Sequence, residues 1–384
     1  MRKMELLFAI GLLLLPAAPA SAQTDATDDF PARIEGDFQS AIVVDAATGL
    51  VLVETDPDVR RPPASMLKMM TELLVLERIE EGDLKLDEPV NVSAKASKMG
   101  GSQVYLKHGE VFPVQELLKA LAIHSANDAA VALAEHLAGS TDAFVDLMNI
   151  RARELGMTNT EFHSVHGLPP GWKQESDITS ARDMALLARE LVQHPLALEW
   201  SSTATAPFRD GEFTLYNPNK LVGKYRGLDG LKTGYTGAAG WCVTATAVQK
   251  GRRLISVVMG CPSDRDRANE TTRLLSFAFN LFKDVPVFTT AGEPLAEPVK
   301  VTGGKQSEVP VTYGESLQVS VPRSRADALE LEVRLPENVA APLAAGAEVG
   351  RAVVRLDGVE LGSVPIVTLA PVEKGNWIHR LMNR

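Results

Sequence analysis

Hydrophobic positions alternate with period two near both ends of the chain and follow a helical period between them. Residues 40–54, SAIVVDAATGLVLVE, place two β-branched runs around a Gly-containing turn and predict a β-hairpin. Two further strands are predicted in GWCVTATAV and RRLISVVMG, which QKG joins. Helical patterns cover residues 64–81, 114–137, 141–155, 179–193 and 267–283. Helices between strands from distant parts of the chain predict an α/β (α+β) domain, with an antiparallel sheet flanked by helices.

The pattern changes after about residue 285, where the helical period ends. In ALELEVRL, Leu329, Leu331, Val333 and Leu335 fall on one face of a strand and charged residues on the other. Further strand-like segments follow, separated by Gly, Pro and Asp turns. We therefore predict a second domain, a small all-β sandwich, over residues 286–370.

Both ends of the chain carry short apolar segments of distinct composition. Residues 1–22 combine a basic start, an apolar run and the small-residue sequence ASA, which is typical of a cleaved signal peptide. An uncleaved anchor helix is the alternative. Residues 23–35 are predicted to be a linker to a domain at 36–285. Residues 371–384 predict an amphipathic tail that associates weakly with a membrane surface, or else packs on its own domain.

Charge and composition exclude some partners. The chain has 384 residues, a formal net charge of −10 and no long Lys/Arg run, so nucleic acid is not an expected partner.

Cys242 and Cys261 could form one disulfide or remain two isolated core thiols. His163 and His166 form the only close histidine pair, in a Gly/Pro-bounded loop without carboxylate or Cys partners, and we interpret them as loop structure. No metal and no cofactor are expected.

The first candidate for catalysis is the pair Ser65 and Lys68. Positions i and i+3 share a helix face, so the hydroxyl and the amine can meet. A serine becomes a nucleophile when a base takes its proton, and a lysine becomes a base when burial and the helix dipole disfavour its charge. The Met- and Leu-rich surroundings at a helix start favour that state. The alternative is a helix N-terminal Ser beside an ordinary Lys whose charge reaches solvent.

Two more polar motifs interrupt apolar segments farther along the chain. Ser125 and Asn127 lie between two apolar helical runs, where they could also cap a helix. Lys232, Thr233 and Gly234 open a strand. Gly234 would let a ligand lie against the strand edge, while the cation and hydroxyl before it suit a carboxylate. A polar turn entering a strand is the alternative.

The order and spacing of S-x-x-K, S-x-N and K-T-G resemble those of active-site serine penicillin-recognising enzymes. The contexts PPASMLKMMT, SANDAAVALAEHLAG, FHSVHGLP, SARDMALLA and LDGLKTGYTGAAGWC resemble low-molecular-mass penicillin-binding proteins, the serine-type D-alanyl-D-alanine carboxypeptidases. The resemblance covers residues 36 to about 283 and extends to the domain layout. It implies a penicillin-recognising serine transpeptidase/β-lactamase-like fold for the first domain.

The resemblance implies catalytic roles for five residues. Ser65 would attack the amide between two D-alanines at the end of a peptidoglycan stem peptide, with Lys68 as general base. Ser125 would relay a proton to the leaving amine, Asn127 would hold the substrate backbone, and Lys232 would orient this network electrostatically.

The resemblance also implies a set of substrate-binding residues, most of which lie in the strand that begins with K-T-G. The backbone N–H groups of Ser65 and Tyr235 would form the oxyanion hole beside Gly234. Lys232 would belong to this set, and Thr233 would bind the terminal carboxylate with Arg267, for which Arg265 is the alternative.

The implied partners are peptidoglycan stem peptides, β-lactams as covalent inhibitors and a membrane surface. The implied location is the periplasmic face of the cytoplasmic membrane, held peripherally by the tail. Three alternatives remain: a class A-like β-lactamase, a DD-endopeptidase and a non-catalytic cell-wall scaffold. The E-x-x-L-N pattern of class A β-lactamases is absent, and Glu212 in EFTLYN is its nearest imitation.

Overall fold

The computed structural model describes residues 31–171, 175–289 and 292–376. The predicted signal peptide, most of the predicted linker and the last eight residues of the predicted tail lie outside these ranges. Within them, no helix has the length and apolar character needed to span a bilayer.

The first domain alternates strands and helices. Its strands are Ser40–Asp45 (β1), Val51–Thr55 (β2), Pro89–Asn91 (β3), Val111–Pro113 (β4), Thr205–Phe208 (β5), Phe213–Tyr216 (β6), Leu228–Thr236 (β7), Gly240–Gln249 (β8) and Arg252–Cys261 (β9). Its helices are Lys68–Glu80 (α1), Val114–His124 (α2), Asn127–Ala138 (α3), Thr141–Glu154 (α4), Ala181–Leu191 (α5), Pro195–Ser201 (α6) and Asp264–Leu281 (α7). Short 3₁₀ segments cover Ala64–Leu67 and Ala96–Lys98.

The central sheet has the order β2-β1-β9-β8-β7 and is antiparallel throughout. Neighbouring residues of a strand point to opposite faces, so Ile42 joins the core under α1–α5 while Val43 joins the core under α7. Both faces are covered, which explains why β1 and β9 are continuous apolar runs. The predicted antiparallel sheet, built from distant parts of the chain and flanked by helices, is confirmed.

The helix boundaries depart from the sequence pattern at three places. The predicted helix 64–81 starts as a 3₁₀ turn before α1 begins at Lys68. The predicted helix 114–137 is two helices, because Ser125 takes a left-handed conformation with φ 65° and ends α2. Helix α7 begins early, since the Ser263 hydroxyl accepts the Asp266 N–H, and a strand begins directly after it at Phe282.

Among its described residues, the second domain contains strands, the loops between them and one 3₁₀ segment at Arg323–Ala328. Its strands are Phe282–Phe288 (β10), Val299–Thr302 (β11), Glu308–Val309 (β12), Val311–Tyr313 (β13), Leu317–Pro322 (β14), Glu330–Arg334 (β15), Asn338–Ala340 (β16), Glu348–Leu356 (β17) and Val359–Thr368 (β18). They form sheets of order β13-β18-β17-β15, β12-β11-β16 and β10-β14 around one apolar core. The all-β prediction is confirmed.

The alternating strand β15 lies at the edge of its sheet and buries less than its pattern predicts. Leu329 and Leu335 pack on the core, but Leu331 and Val333 remain 58% and 47% exposed. The four residues predicted to share one face of the strand are therefore not equally buried, and the middle two lie on the edge strand of the sheet.

A buried polar cluster joins the two domains. Arg252 on β9 contacts Asp45 Oδ2 and Asp284 Oδ1 at 3.3 and 3.4 Å through Nε. The Ser320 hydroxyl of β14 donates to the same two carboxylates. Strand β1 therefore contacts strand β14 through the charged side chain of Asp45, and Arg252 links that side chain to β10.

Candidate active site

Ser65 and Lys68 meet at the start of α1, as the i, i+3 spacing predicts. Lys68 Nζ donates to Ser65 Oγ at 2.8 Å and to the carbonyl oxygen of His166 at 2.8 Å. The Lys68 side chain is fully buried, and its neighbours Met66, Leu67, Met69 and Met70 are too. Burial lowers the pKa of Lys68 well below its usual 10.5, and the charge of Lys232 lowers it further. The structure thus favours an amine able to accept the serine proton.

Two glycines hold the backbone that carries Ser65. A Cβ on Gly167 would lie 2.2 Å from the carbonyl oxygen of Ala64, and a Cβ on Gly234 would lie 2.7 Å from that of Pro63. Ala64 itself has φ 48°, an uncommon value for a residue with a side chain. The loop of Gly167 and strand β7 therefore press against the segment before the serine. The sequence pattern explains the glycine at position 234 by ligand access to the strand edge. The close packing on Pro63 is a second reason for a glycine there, and the sequence did not show it.

A second serine and lysine pair faces the same site. Lys232 Nζ on β7 donates to Ser125 Oγ at 2.7 Å, across the break between α2 and α3. Burial lowers the pKa of Lys232 to about 7, while Glu72 opposes this shift and Arg267 adds to it. Since Lys232 also lowers the pKa of Lys68, the two amines are electrostatically coupled.

Asn127 is buried beside this pair with one side-chain atom free. Its Nδ2 donates to Gly100 O at 2.7 Å, and its backbone N–H donates to Ser102 O at 2.7 Å. Its Oδ1 is buried and has no hydrogen-bond partner among the described residues. An unpaired buried acceptor is costly in isolation and suits an incoming N–H group.

The residues expected to bind substrate lie along β7 and, in the case of Arg267, on α7. Thr233 is buried, whereas Tyr235 is 54% exposed and stacks on Trp241 with ring centroids 4.1 Å apart. The guanidinium of Arg267 lies 5.3 Å from the same Trp241 ring. Arg267 is buried and pairs with Asp264, while Arg265 is exposed. The structure therefore places Arg267, and not Arg265, against Trp241 on β8, the strand that pairs with the K-T-G strand β7.

Two groups at the site escaped the sequence reasoning. The His166 carbonyl accepts from Lys68, and its ring is held neutral by a pKa lowered to about 4, first by burial and then by Lys68. Glu72 lies one turn after Lys68 on α1, and burial raises its pKa to about 8. The i+4 spacing from Lys68 could have revealed Glu72, but nothing local pointed to a carbonyl 98 residues away.

The interpretation of His163 as a residue without carboxylate partners is wrong. Its Nε2 lies 3.5 Å from Glu161 Oε1 and 3.4 Å from Glu175 Oε2. Glu175 reaches it because the chain folds back and Glu161 pairs with Ile178 through two backbone hydrogen bonds.

Both cysteines are buried free thiols. Of the two possibilities that the sequence left open, the structure has two isolated thiols and not a disulfide.

Two profiles of known families match the chain. The D-alanyl-D-alanine carboxypeptidase profile matches residues 25–263, and the profile of the C-terminal domain of penicillin-binding protein 5 matches residues 282–374. Among curated relatives, the D-alanyl-D-alanine carboxypeptidase DacF of Bacillus subtilis is 35% identical over 98% of this chain and 96% of its own length. The carboxypeptidase DacC of Escherichia coli is 36% identical over 96% of this chain and 91% of its own length.

Solved structures agree with these relatives. Penicillin-binding protein 5 of Haemophilus influenzae superposes with a TM-score of 0.77 at 29% identity, over 89% of this chain and 99% of that one. Penicillin-binding protein D2 of Listeria monocytogenes, solved with ampicillin bound, has a TM-score of 0.59 at 33% identity over 64% of this chain and 98% of that one. The chain belongs to the D-alanyl-D-alanine carboxypeptidase family of penicillin-binding proteins, and it is a serine-type carboxypeptidase with an α/β catalytic domain and a C-terminal all-β domain.

Proposed function

We propose that Ser65 is the nucleophile of this carboxypeptidase and Lys68 its general base. The observation that carries the proposal is the 2.8 Å contact between Lys68 Nζ and Ser65 Oγ. The site is buried, and burial lowers the pKa of Lys68 and so favours the neutral amine. In the neutral state, Nζ accepts the hydroxyl proton as Oγ attacks the amide carbonyl between the two D-alanines. The terminal D-alanine leaves, an ester remains on Ser65, and water hydrolyses it.

The pair Ser125 and Lys232 is proposed to deliver the proton that the leaving amine needs. Its support is the 2.7 Å contact between Lys232 Nζ and Ser125 Oγ, which lets the lysine hold or resupply the hydroxyl proton. The free Oδ1 of Asn127 supports a role in accepting an N–H of the substrate backbone.

The reacting carbonyl and the terminal carboxylate of the substrate are assigned to groups on β7 and to groups that pack near it. We assign the oxyanion hole to the backbone N–H groups of Ser65 and Tyr235, and the terminal carboxylate to Thr233 and Arg267. The close packing of Gly234 on Pro63 supports the first assignment, because it holds β7 against the serine segment. The buried guanidinium of Arg267, close enough to lower the pKa of Lys232, supports the second.

The cellular setting is proposed on the same family basis. Peptidoglycan stem peptides would be the substrate and β-lactams the covalent inhibitors, the latter supported by the Listeria relative solved with ampicillin and with cefotaxime. We propose a signal peptide at 1–22, a linker at 23–35, a catalytic domain at 36–285 and a β-domain at 286–370. A membrane-associating tail at 371–384 would hold the enzyme at the periplasmic face of the membrane.

Labelling with fluorescent penicillin tests the nucleophile. Wild type should carry one covalent label and Ser65→Ala should carry none. Ser97→Ala should label like wild type, because among the described residues the Ser97 hydroxyl donates to Ala94 O and forms no hydrogen bond with a residue of the candidate site. No label on wild type would instead favour the non-catalytic scaffold, and a label on Ser65→Ala would place the nucleophile elsewhere.

Two further assays separate the remaining alternatives. Glu212 lies exposed in the turn between β5 and β6, so it offers no support for a class A-like deacylating base. Slow turnover of a chromogenic cephalosporin is therefore expected, and rapid turnover would favour a β-lactamase. Product analysis on a pentapeptide and on a cross-linked dimer separates carboxypeptidase from DD-endopeptidase action.

A further inference from the structure

Three ligand-type side chains converge beside the active-site loop and have no part in the proposed mechanism. They are Glu161, His163 and Glu175, and their donor atoms all lie within 4.8 Å of one another. We propose that these three residues bind a divalent transition-metal ion, with Zn²⁺ as the best fit and water completing the coordination.

The local fold explains why the three residues meet. Glu161 and Ile178 exchange two backbone hydrogen bonds, so the chain runs antiparallel to itself on either side of them. In extended backbone, residues i and i+2 share a face, which places Glu161 and His163 side by side. Glu175 reaches the same face from the returning segment. The cluster is thus assembled by the backbone and does not arise from a run of acidic residues.

The distances match those of a metal site. Ligands at 2.0–2.1 Å from a tetrahedral Zn²⁺ lie about 3.3–3.4 Å from one another. The His163 Nε2 atom lies 3.5 Å from Glu161 Oε1 and 3.4 Å from Glu175 Oε2. The Glu175 side chain is 78% exposed, so its carboxylate has room to move by the few tenths of an ångström that the ideal ligand spacing requires.

A second layer of contacts holds the backbone that carries His163 in place. Asp177 Oδ1 accepts the backbone N–H groups of His163 and Ser164 at 2.7 and 2.8 Å, and Asp177 Oδ2 accepts the Ser164 hydroxyl. Such fixing of a ligand through its neighbours is common around metals. Arg60 lies 3.7 Å from Glu161 Oε2, whereas Oε1 is the oxygen that contacts His163, so the two contacts use different oxygens of the carboxylate.

The donor set decides which ions fit. An imidazole with two carboxylates suits Zn²⁺ and its first-row neighbours, whereas Ca²⁺ and Mg²⁺ prefer oxygen ligands alone. The site is open to solvent, since Glu161 is 55% exposed, and a water can occupy the fourth position. Because His166 in the same loop accepts from Lys68, an ion here would tie down a segment that contacts the catalytic lysine.

The test uses the purified chelator-treated protein and Co²⁺ or Zn²⁺ alone. Wild type should bind one equivalent of Co²⁺ with the intense visible bands of a four-coordinate site, and Zn²⁺ should displace it. His163→Gln and Glu175→Gln should each weaken Zn²⁺ binding at least ~10-fold. Since Glu175 is exposed, its variant should stay folded, which fluorescent penicillin labelling verifies.

His136 provides the matched control because it contacts a single carboxylate, Glu88, at 2.9 Å. His136→Gln should bind Zn²⁺ like wild type. The proposal is overturned if wild type binds no stoichiometric metal, or if His163→Gln and Glu175→Gln bind as tightly as wild type. Either result would leave His163 as an imidazole between two carboxylates and would not affect the role of Ser65.

Discussion

At the residue scale, the property that matters most is the protonation state of Lys68. A charged amine cannot take the Ser65 proton, so acylation should rise with pH as the amine loses its charge and then level off. Since burial lowers the pKa of Lys68, the plateau should come well below pH 10.5. The measurement is the pH dependence of labelling by fluorescent penicillin, which reports the joint titration of Lys68 and Lys232.

Lys68→Gln should lose about 10²- to 10⁴-fold in acylation rate at every pH. Lys85→Gln, which removes an exposed lysine, should keep the wild-type profile. A Lys68→Gln variant that acylates at the wild-type rate would exclude Lys68 as the base.

Glu72 supplies a prediction about stability at the same scale. Its folded pKa of about 8 lies above that of an unfolded Glu, so its contribution is fully present below about pH 4.5 and is lost as pH rises through 8. Glu72→Gln keeps the neutral shape and removes this loss. We expect the variant to gain stability over wild type between pH 5 and pH 8, by about 3–5 kcal/mol at most.

Urea unfolding at the two pH values measures this difference. Glu81→Gln, at the exposed end of α1, should show no such pH-dependent gain. A stability difference between wild type and Glu72→Gln that is the same at pH 5 and pH 8 would show that Glu72 is ionised in the folded protein.

The short motifs of the sequence predicted which side chains meet at the candidate site. Ser65 and Lys68 share a helix face, and the i, i+3 spacing alone brings their side chains together. It could not show the His166 carbonyl, since that contact depends on how a loop 98 residues away is placed. The same limit applies to Glu161 and Glu175, which meet His163 only after the chain reverses.

At the element scale, the Gly167 loop and the start of α1 should depend on each other. Gly167 has φ 76°, and a Cβ there would lie 2.2 Å from Ala64 O. Gly156 has nearly the same φ, 75°, and nothing within 4 Å of its Cβ position. Gly156→Ala should therefore cost only the backbone penalty, about 1–2 kcal/mol, whereas Gly167→Ala adds a clash worth about 1–3 kcal/mol more.

Gly167→Ala should also slow penicillin acylation, because the clash moves the segment that carries Ser65. Gly156→Ala should acylate at the wild-type rate. Equal stability and equal acylation in the two variants would mean that the loop yields without disturbing the nucleophile.

Elements with long apolar periods were predictable, and short ones were not. The helical period found α4 and α5 nearly to their ends, because each buries one continuous face. The strand pairs β3–β4 and β5–β6 have three or four residues per strand, which are too few to show a period. Strand β15 has a clear period yet leaves Leu331 exposed, since a pattern marks a face and not what covers it.

At the scale of the whole molecule, the sequence indicated two domains but gave no sign of how they join. The two domains are joined through Arg252, which lies between Asp45 on β1 and Asp284 on β10, the strand that pairs with β14 of the second domain. These residues are separated by up to 239 positions, and none of them belongs to a motif. Contacts of this kind follow from the packed fold and cannot be read from local spacing.

The last prediction concerns this joint. Arg252→Met should leave Asp45 buried without a cation, which typically costs about 3–5 kcal/mol. The loss should fall on the contact between the domains, so the β-domain should unfold earlier than in wild type. Scanning calorimetry measures this, and penicillin bound to Ser65 should raise only the transition of the first domain.

Arg334→Met is the matched control, because its pairing with Glu332 is about half exposed on both sides and should contribute little. If Arg252→Met lowers the melting temperature no more than Arg334→Met does, the polar cluster does not hold the domains together. Contacts such as that of Leu50, which packs with the cores of both domains, would then contribute more to joining them.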